Sequence, residues 1–259
     1  MIRKLFFIVL AFMMGTSMVC ADVINFTDGA IHWPSWTNGI DDTTDHIGHI
    51  DFIDGQIVTT DSGVLERITF NYLNNNASLM PMDLFLDTDA DNVWDYVVKL
   101  YMGQNTNHIY ILPDNYSLYQ ISVPEDSRSA YVEAWLTPDP SYYREGHPVA
   151  LESYPSSPIG TVYFDGWKAD PNGSSILSST FYFYNNNNIT SPVEITLSDN
   201  FIIAWTVQCA NDVLYYEHRE VTPTYPYGGS STIPEPSSVV LVGIGLLGVV
   251  FWSRSKNRK

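Results

Sequence analysis

The chain has 259 residues and a formal net charge of −17, and 14% of it is aromatic. All 29 acidic residues lie within 22–235, where only six of the 12 basic residues fall, so that interval carries −23. A body of that charge repels nucleic acid and anionic membrane surfaces and attracts cations, which excludes nucleic acid as a partner.

The chain opens on a positive start, Arg3 and Lys4, followed by ten apolar residues at 5–14 and then small ones. Val19 and Ala21 occupy the −3 and −1 positions of a cut before Asp22. This is the three-part pattern of a secretory signal peptide, residues 1–21, and its apolar stretch is too short to span a membrane. Cys20 invites a lipid anchor, but Val19 stands where a lipobox carries a small residue. Cleavage between Ala21 and Asp22 is the expectation.

Next comes "DDTTDHIGHID", residues 41–51. His46 and His49, with Asp41, Asp42, Asp45 and Asp51 beside them, are residue types that bind transition metals. Gly48 inside the pair and the lack of a helical pattern make the spacing unspecific, and a polar loop is the better reading.

From there the pattern is that of strands. "LERITFNYL" puts Ile68, Phe70 and Tyr72 on one face and Arg67, Thr69 and Asn71 on the other; "VWDYVVKLYM" puts Trp94, Tyr96, Val98 and Leu100 on one side. Further β-branched and aromatic runs follow, separated by turn material such as "PDN", "PDPS" and "DPNG". The asparagine runs 74–76 and 185–188 read as hairpin tips. With about ten short strands and no amphipathic helix, the body at 22–222 is expected to be all-β, an antiparallel β-sandwich of jelly-roll type in preference to a barrel.

"DLFLDTDADNVWDYVV" is the sharpest chemical signal. Asp87, Asp89 and Asp91 alternate, Asn92 holds the sixth place, Val93 offers a carbonyl at the seventh, and Asp95 stands at the ninth. Alternating aspartates in a tight loop turn oxygens onto one cation, and a residue tolerant of positive φ makes the bend. The stretch resembles the DxDxDG calcium loops set between strands of extracellular β proteins, with Asn in place of Gly. Val98 at place twelve and the flanking strands exclude an EF-hand. The resemblance implies a bound Ca²⁺; the competing reading is an acidic hairpin tip without an ion.

Nothing in the body carries a nucleophile elbow, a phosphate-cradling loop or a zincin motif. Cys209, the single cysteine left after signal removal, cannot form an intramolecular disulfide and reads as buried core. Of the aromatic residues, Trp33, Trp36, Tyr142, Tyr143, Tyr225 and Tyr227 lie in loop-like stretches from which rings could stack on sugars.

The chain closes on a linker at 223–238 containing Pro234, Glu235 and Pro236, an apolar run at 239–253, and a basic tail at 254–259 with Arg254, Lys256, Arg258 and Lys259. Fourteen unbroken apolar or glycine residues make a helix of about 21 Å, and flanking serines extend it to the lower limit of a membrane span. The tail would stay on the cytoplasmic side. Pro-Glu-Pro, apolar helix and basic cluster, in that order at the extreme end, resemble the PEP-CTERM sorting region. The resemblance implies export through the translocon, a single-pass inner-membrane precursor, cleavage by an exosortase, and a cell-surface or extracellular destination near exopolysaccharide. The expected function is therefore that of a non-enzymatic surface or matrix protein. The alternatives are a secreted carbohydrate-active enzyme on the same scaffold and a permanently anchored inner-membrane protein.

Overall fold

The computed structural model describes residues 21–30, 33–34, 36, 50–74, 80–100, 113–134, 146–170, 175–208, 210 and 212–220. All of them fall within the compact unit Met1–Glu220. Residues 1–20 of the expected signal peptide at 1–21, the histidine segment at 41–49, Cys209, and the linker, apolar run and basic tail at 223–259 lie outside the described residues. Among the described residues no helix is long and apolar enough to cross a membrane.

Twelve strands and one 3₁₀ turn, Arg128–Ala130, make up the described fold. In chain order the strands are β1 Asp22–Thr27, β2 Ile50–Thr59, β3 Leu65–Asn74, β4 Leu84–Asp87, β5 Val93–Val98, β6 Asp114–Pro124, β7 Tyr131–Glu133, β8 Pro148–Leu151, β9 Gly160–Phe164, β10 Leu177–Tyr182, β11 Asn200–Thr206 and β12 Val213–Arg219. Ten of them form one antiparallel sheet in the order β1-β2-β3-β10-β9-β6-β5-β4-β11-β12, while β7 and β8 pair separately.

The sheet curls until its two end strands nearly meet. Phe26 of β1 stacks on Tyr216 of β12 with ring centroids 5.0 Å apart. The Phe52 amide of β2 donates to the buried Asp212 carboxylate just before β12. The expected two-sheet sandwich is thus replaced by a single sheet almost closed into a barrel. Alternation in the sequence fixes which side chains face inward, but inward faces look alike whether they meet across two sheets or across one rolled sheet.

The interior holds one large cluster, including Phe52, Ile68, Phe70, Tyr72, Leu84, Leu86, Val98, Phe164, Phe181, Ile203 and Trp205, all essentially inaccessible. Ile68, Phe70 and Tyr72 share that face as their spacing predicts. A second cluster lies outside the barrel wall, where Phe85, Trp94, Val97, Ile202 and Ala204 pack under the β7–β8 pair and under Trp33 and Trp36. Strands β4 and β11 are therefore buried on both faces, which explains their continuous apolar runs.

Two local expectations are corrected. Pairing of β5 with β6 slips between Trp94 and Tyr96. This β-bulge sends Trp94 to the outer cluster, whereas Tyr96, Val98 and Leu100 face inward. The asparagine run at 185–188 is not a hairpin tip, because β10 leads into a strand that is not its neighbour in the sheet, and of the run at 74–76 only Asn74, the last residue of β3, is among the described residues. Asn185 still takes the positive φ of a turn, 56°.

Candidate metal centre

The β4–β5 hairpin carries the aspartate loop at the rim of the barrel. Asp87, the last residue of β4, is fully buried, and its carboxylate organises the turn. Its Oδ1 accepts the amides of Asp89 (3.2 Å), Ala90 (2.7 Å) and Asp91 (3.4 Å), and its Oδ2 accepts that of Asn92 (2.9 Å). Ala90 and Asn92 take positive φ values of 57° and 68°. Asn92 fulfils the role its place in the loop predicts; Ala90 does so without the local help an Asn side chain gives. Asp95, at the bulge in β5, accepts both the amide (2.8 Å) and the hydroxyl of Thr88 on the opposite side of the loop.

One carboxylate oxygen each from Asp87, Asp89 and Asp95 lie within 4.8 Å of one another. Oxygens bound on opposite sides of one Ca²⁺ stand about 4.6–5.2 Å apart, so this spacing fits a calcium ion. Asp95 Oδ1 and both oxygens of Asp89 accept no hydrogen bond from the described residues. Asp91 is outside the group: its Oδ1 accepts the Val93 amide at 2.9 Å, at the start of β5. Burial raises the Asp87 carboxyl above its usual range despite the four amides around it. A carboxylate desolvated among other carboxylates is stabilised in its charged form by a cation.

Beneath the loop lies a residue that the sequence did not flag, Glu125. Its amide donates to the Asn92 carbonyl at 3.0 Å, and its own carbonyl accepts Trp36 Nε1 at 3.0 Å. Tyr215 donates to Glu125 Oε2 at 3.0 Å, while Oε1 is buried with no partner among the described residues. Burial, aided by Asp87, Glu217 and Asp91 nearby, pushes this carboxyl up to about 7, with the Tyr215 bond opposing. No local pattern announces Glu125; only the pairing of Val93 with Pro124 brings it under the loop.

The folded state holds the Glu125 proton more tightly than the unfolded chain does. Its contribution to stability is therefore full below about pH 4.5, declines as pH rises, and is gone above about 7. In calcium-free buffer, thermal melts should lose about 2–3 kcal/mol from this group between pH 5 and pH 8. Glu125→Gln, which keeps the shape and removes the titration, should flatten that decline; an unchanged slope in the variant would assign the effect elsewhere.

The loop-borne tryptophans are not surface platforms. Trp33 and Trp36 are 1% and 3% exposed and belong to the outer cluster. Trp33 is fixed by its amide, which donates to His147 Nε2 at 3.2 Å. His147 Nδ1 lies 2.9 Å from the Pro148 carbonyl, and the proton it donates there leaves Nε2 as the acceptor. Tyr142, Tyr143, Tyr225, Tyr227, His46, His49 and Cys209 lie outside the described residues.

Residues 232–255 match the family model of the PEP-CTERM protein-sorting motif. The chain carries a PEP-CTERM sorting motif. The match takes in Pro234, Glu235, Pro236, the apolar run and Arg254, while Lys256, Arg258 and Lys259 follow directly. No curated protein and no solved structure matches the chain. The PEP-CTERM motif implies a membrane-anchored precursor, an exosortase as processing partner, and a surface or extracellular product.

Proposed function

We propose that this PEP-CTERM chain is a non-enzymatic surface or matrix protein whose barrel is stabilised by calcium and meets exopolysaccharide outside the cell. A signal peptide cut between Ala21 and Asp22 directs it to the translocon. The apolar run at 239–253 then holds the precursor in the inner membrane, tail inward, until an exosortase releases it near Pro234-Glu235-Pro236. The observation that carries this reading is the sorting motif at 232–255 at the end of a chain whose residues 22–235 carry −23.

The calcium part is supported by the oxygens of Asp87, Asp89 and Asp95, gathered at a spacing that suits one Ca²⁺. A binding role is favoured over turnover by the work the perturbed groups already do. Tyr72 is bonded to Ser179 and accepts the Lys168 amide, Tyr131 donates to the Pro124 carbonyl, and Tyr215 donates to Glu125. Each is a structural bond at a buried or part-buried place, and burial raises each phenol's affinity for its proton.

Removal of residues 232–259 tests the sorting. The wild-type chain should appear at the surface or in the medium, shortened at both ends by mass spectrometry. The truncated chain should accumulate in the periplasm, with surface delivery lost. A wild-type chain recovered only from the inner membrane, with its C-terminal residues intact, would show permanent anchoring and overturn the proposal.

A further inference from the structure

A cleft opens over β1, β2 and β3, on the side of the barrel where the sheet edges approach. Strand register sets Asn25 opposite Gln56, Thr27 opposite Asp54, and Asp54 opposite Asn71, so five polar side chains form two adjacent rows. All five line the cleft, together with Phe26, Gly55 and Tyr216.

The polar groups are held in place by one another. Gln56 Nε2 donates to Asn25 Oδ1 at 3.2 Å, and Asn71 Nδ2 donates to Asp54 Oδ1 at 2.6 Å. These bonds leave a defined remainder. Asn25 Nδ2 and the Thr27 hydroxyl are available as donors, and Gln56 Oε1, Asn71 Oδ1 and Asp54 Oδ2 as acceptors, none engaged with the described residues. Fixing the side chains beforehand lowers the ordering cost that a ligand would otherwise meet.

Phe26 is buried in the interior cluster beneath these rows, where it stacks on Tyr216 at an interplanar angle of 27°, and of the two rings only that of Tyr216 is part-exposed. Gly55 is what admits the Phe26 ring, since a Cβ there would stand 2.2 Å from Phe26 Cζ and 2.3 Å from the Thr69 carbonyl oxygen. The ring occupies the space that any larger residue would fill.

The lining contains no Lys, Arg or His and includes one carboxylate. Phosphate, sulfate and uronate groups would find no counter-charge and would face Asp54. A peptide strand would need a row of backbone partners, and side-chain amides serve it poorly. A sugar hydroxyl donates and accepts at the same time, which matches interleaved amide donors and amide or carboxylate acceptors, and the part-exposed Tyr216 ring that lines the cleft suits the C–H face of a pyranose.

We propose that the cleft formed by Asn25, Thr27, Asp54, Gln56 and Asn71 beside Tyr216 binds a neutral oligosaccharide or polysaccharide segment. The proposal deepens the exopolysaccharide reading above and rests on it only for where the glycan is met.

The test presents full-length protein, purified in detergent, to an array of neutral, acidic and amine-bearing oligosaccharides. At least one neutral glycan should be retained, and acidic ones should not. Asn71→Ala and Gln56→Ala should each weaken retention about tenfold, the loss of one or two hydrogen bonds. Both variants should melt within about 2 °C of wild type, because the sites are part-exposed. Three results would overturn the proposal: no neutral glycan held, affinity unchanged in both folded variants, or preference for acidic or amine-bearing glycans. Surface delivery without glycan binding would sink this proposal alone, and glycan binding without delivery would sink the sorting reading alone.

Discussion

Millimolar calcium should raise the melting temperature of the full-length protein by about 2–8 °C, and Asp89→Ala should abolish that rise. The size follows from mass action: a site of the affinity usual for extracellular modules, at about 5 mM calcium, gains about 1–2 kcal/mol, and a body of this size shifts about 2–4 °C per kcal/mol. Asp89 is exposed and its oxygens accept nothing among the described residues, so its removal should cost little without calcium. Asp87→Ala is expected to behave differently. It strips the acceptor from four loop amides and should destabilise the protein by about 3 kcal/mol whether or not calcium is present. The pair of variants separates two duties of the loop: Asp87 builds it, and Asp89 is expected to matter only through a bound ion. Intrinsic tryptophan fluorescence reports both melts. A wild-type melt indifferent to calcium, or a rise that survives Asp89→Ala, would remove calcium from the proposed function.

The largest single loss is expected at Trp205. Its ring lies in the interior of the barrel against Phe70 (4.5 Å between centroids), Phe181 (5.2 Å), Phe52 (5.3 Å) and Trp167 (5.5 Å). Its Nε1 donates to the Met82 carbonyl at 2.9 Å. These contacts join β11 to β2, β3 and β10 across the barrel, so the cavity left by Trp205→Ala could not be filled by a small local shift. The variant should lose about 3–5 kcal/mol in urea unfolding, enough to leave much of it unfolded at 37 °C. Trp205→Phe keeps most of the ring and forfeits the hydrogen bond, and should lose about 1–2 kcal/mol. If Trp205→Ala cost no more than Trp205→Phe, the interior would not be packed around this residue.

Some features needed no tertiary information. The inward set Ile68, Phe70 and Tyr72 follows from a period of two. The positive φ at Asn92 follows from the sixth place in an aspartate loop. The closing region is a linear signal whose order and spacing are its whole content. Other features were invisible along the chain. Trp33 and Trp36 sit in proline-containing loop sequence, yet both are buried, because the β7–β8 pair and the outer faces of β4, β5 and β11 make a second core there. Trp94 and Tyr96 read as one face until the bulge between them parts them.

The sequence by itself determined the all-β class, the location of the acidic loop and the sorting motif, since each depends on residue order over a few positions. Tertiary structure alone decided that one sheet rolls almost into a barrel, that Glu125 and Tyr215 come to lie below the aspartate loop, and that Asn25, Gln56, Asp54 and Asn71 share a cleft. The reason is physical. Strand periodicity states which way a side chain points, but which strands become neighbours is chosen by the burial of all the apolar faces at once, and residues far apart in the chain meet only when that choice is made.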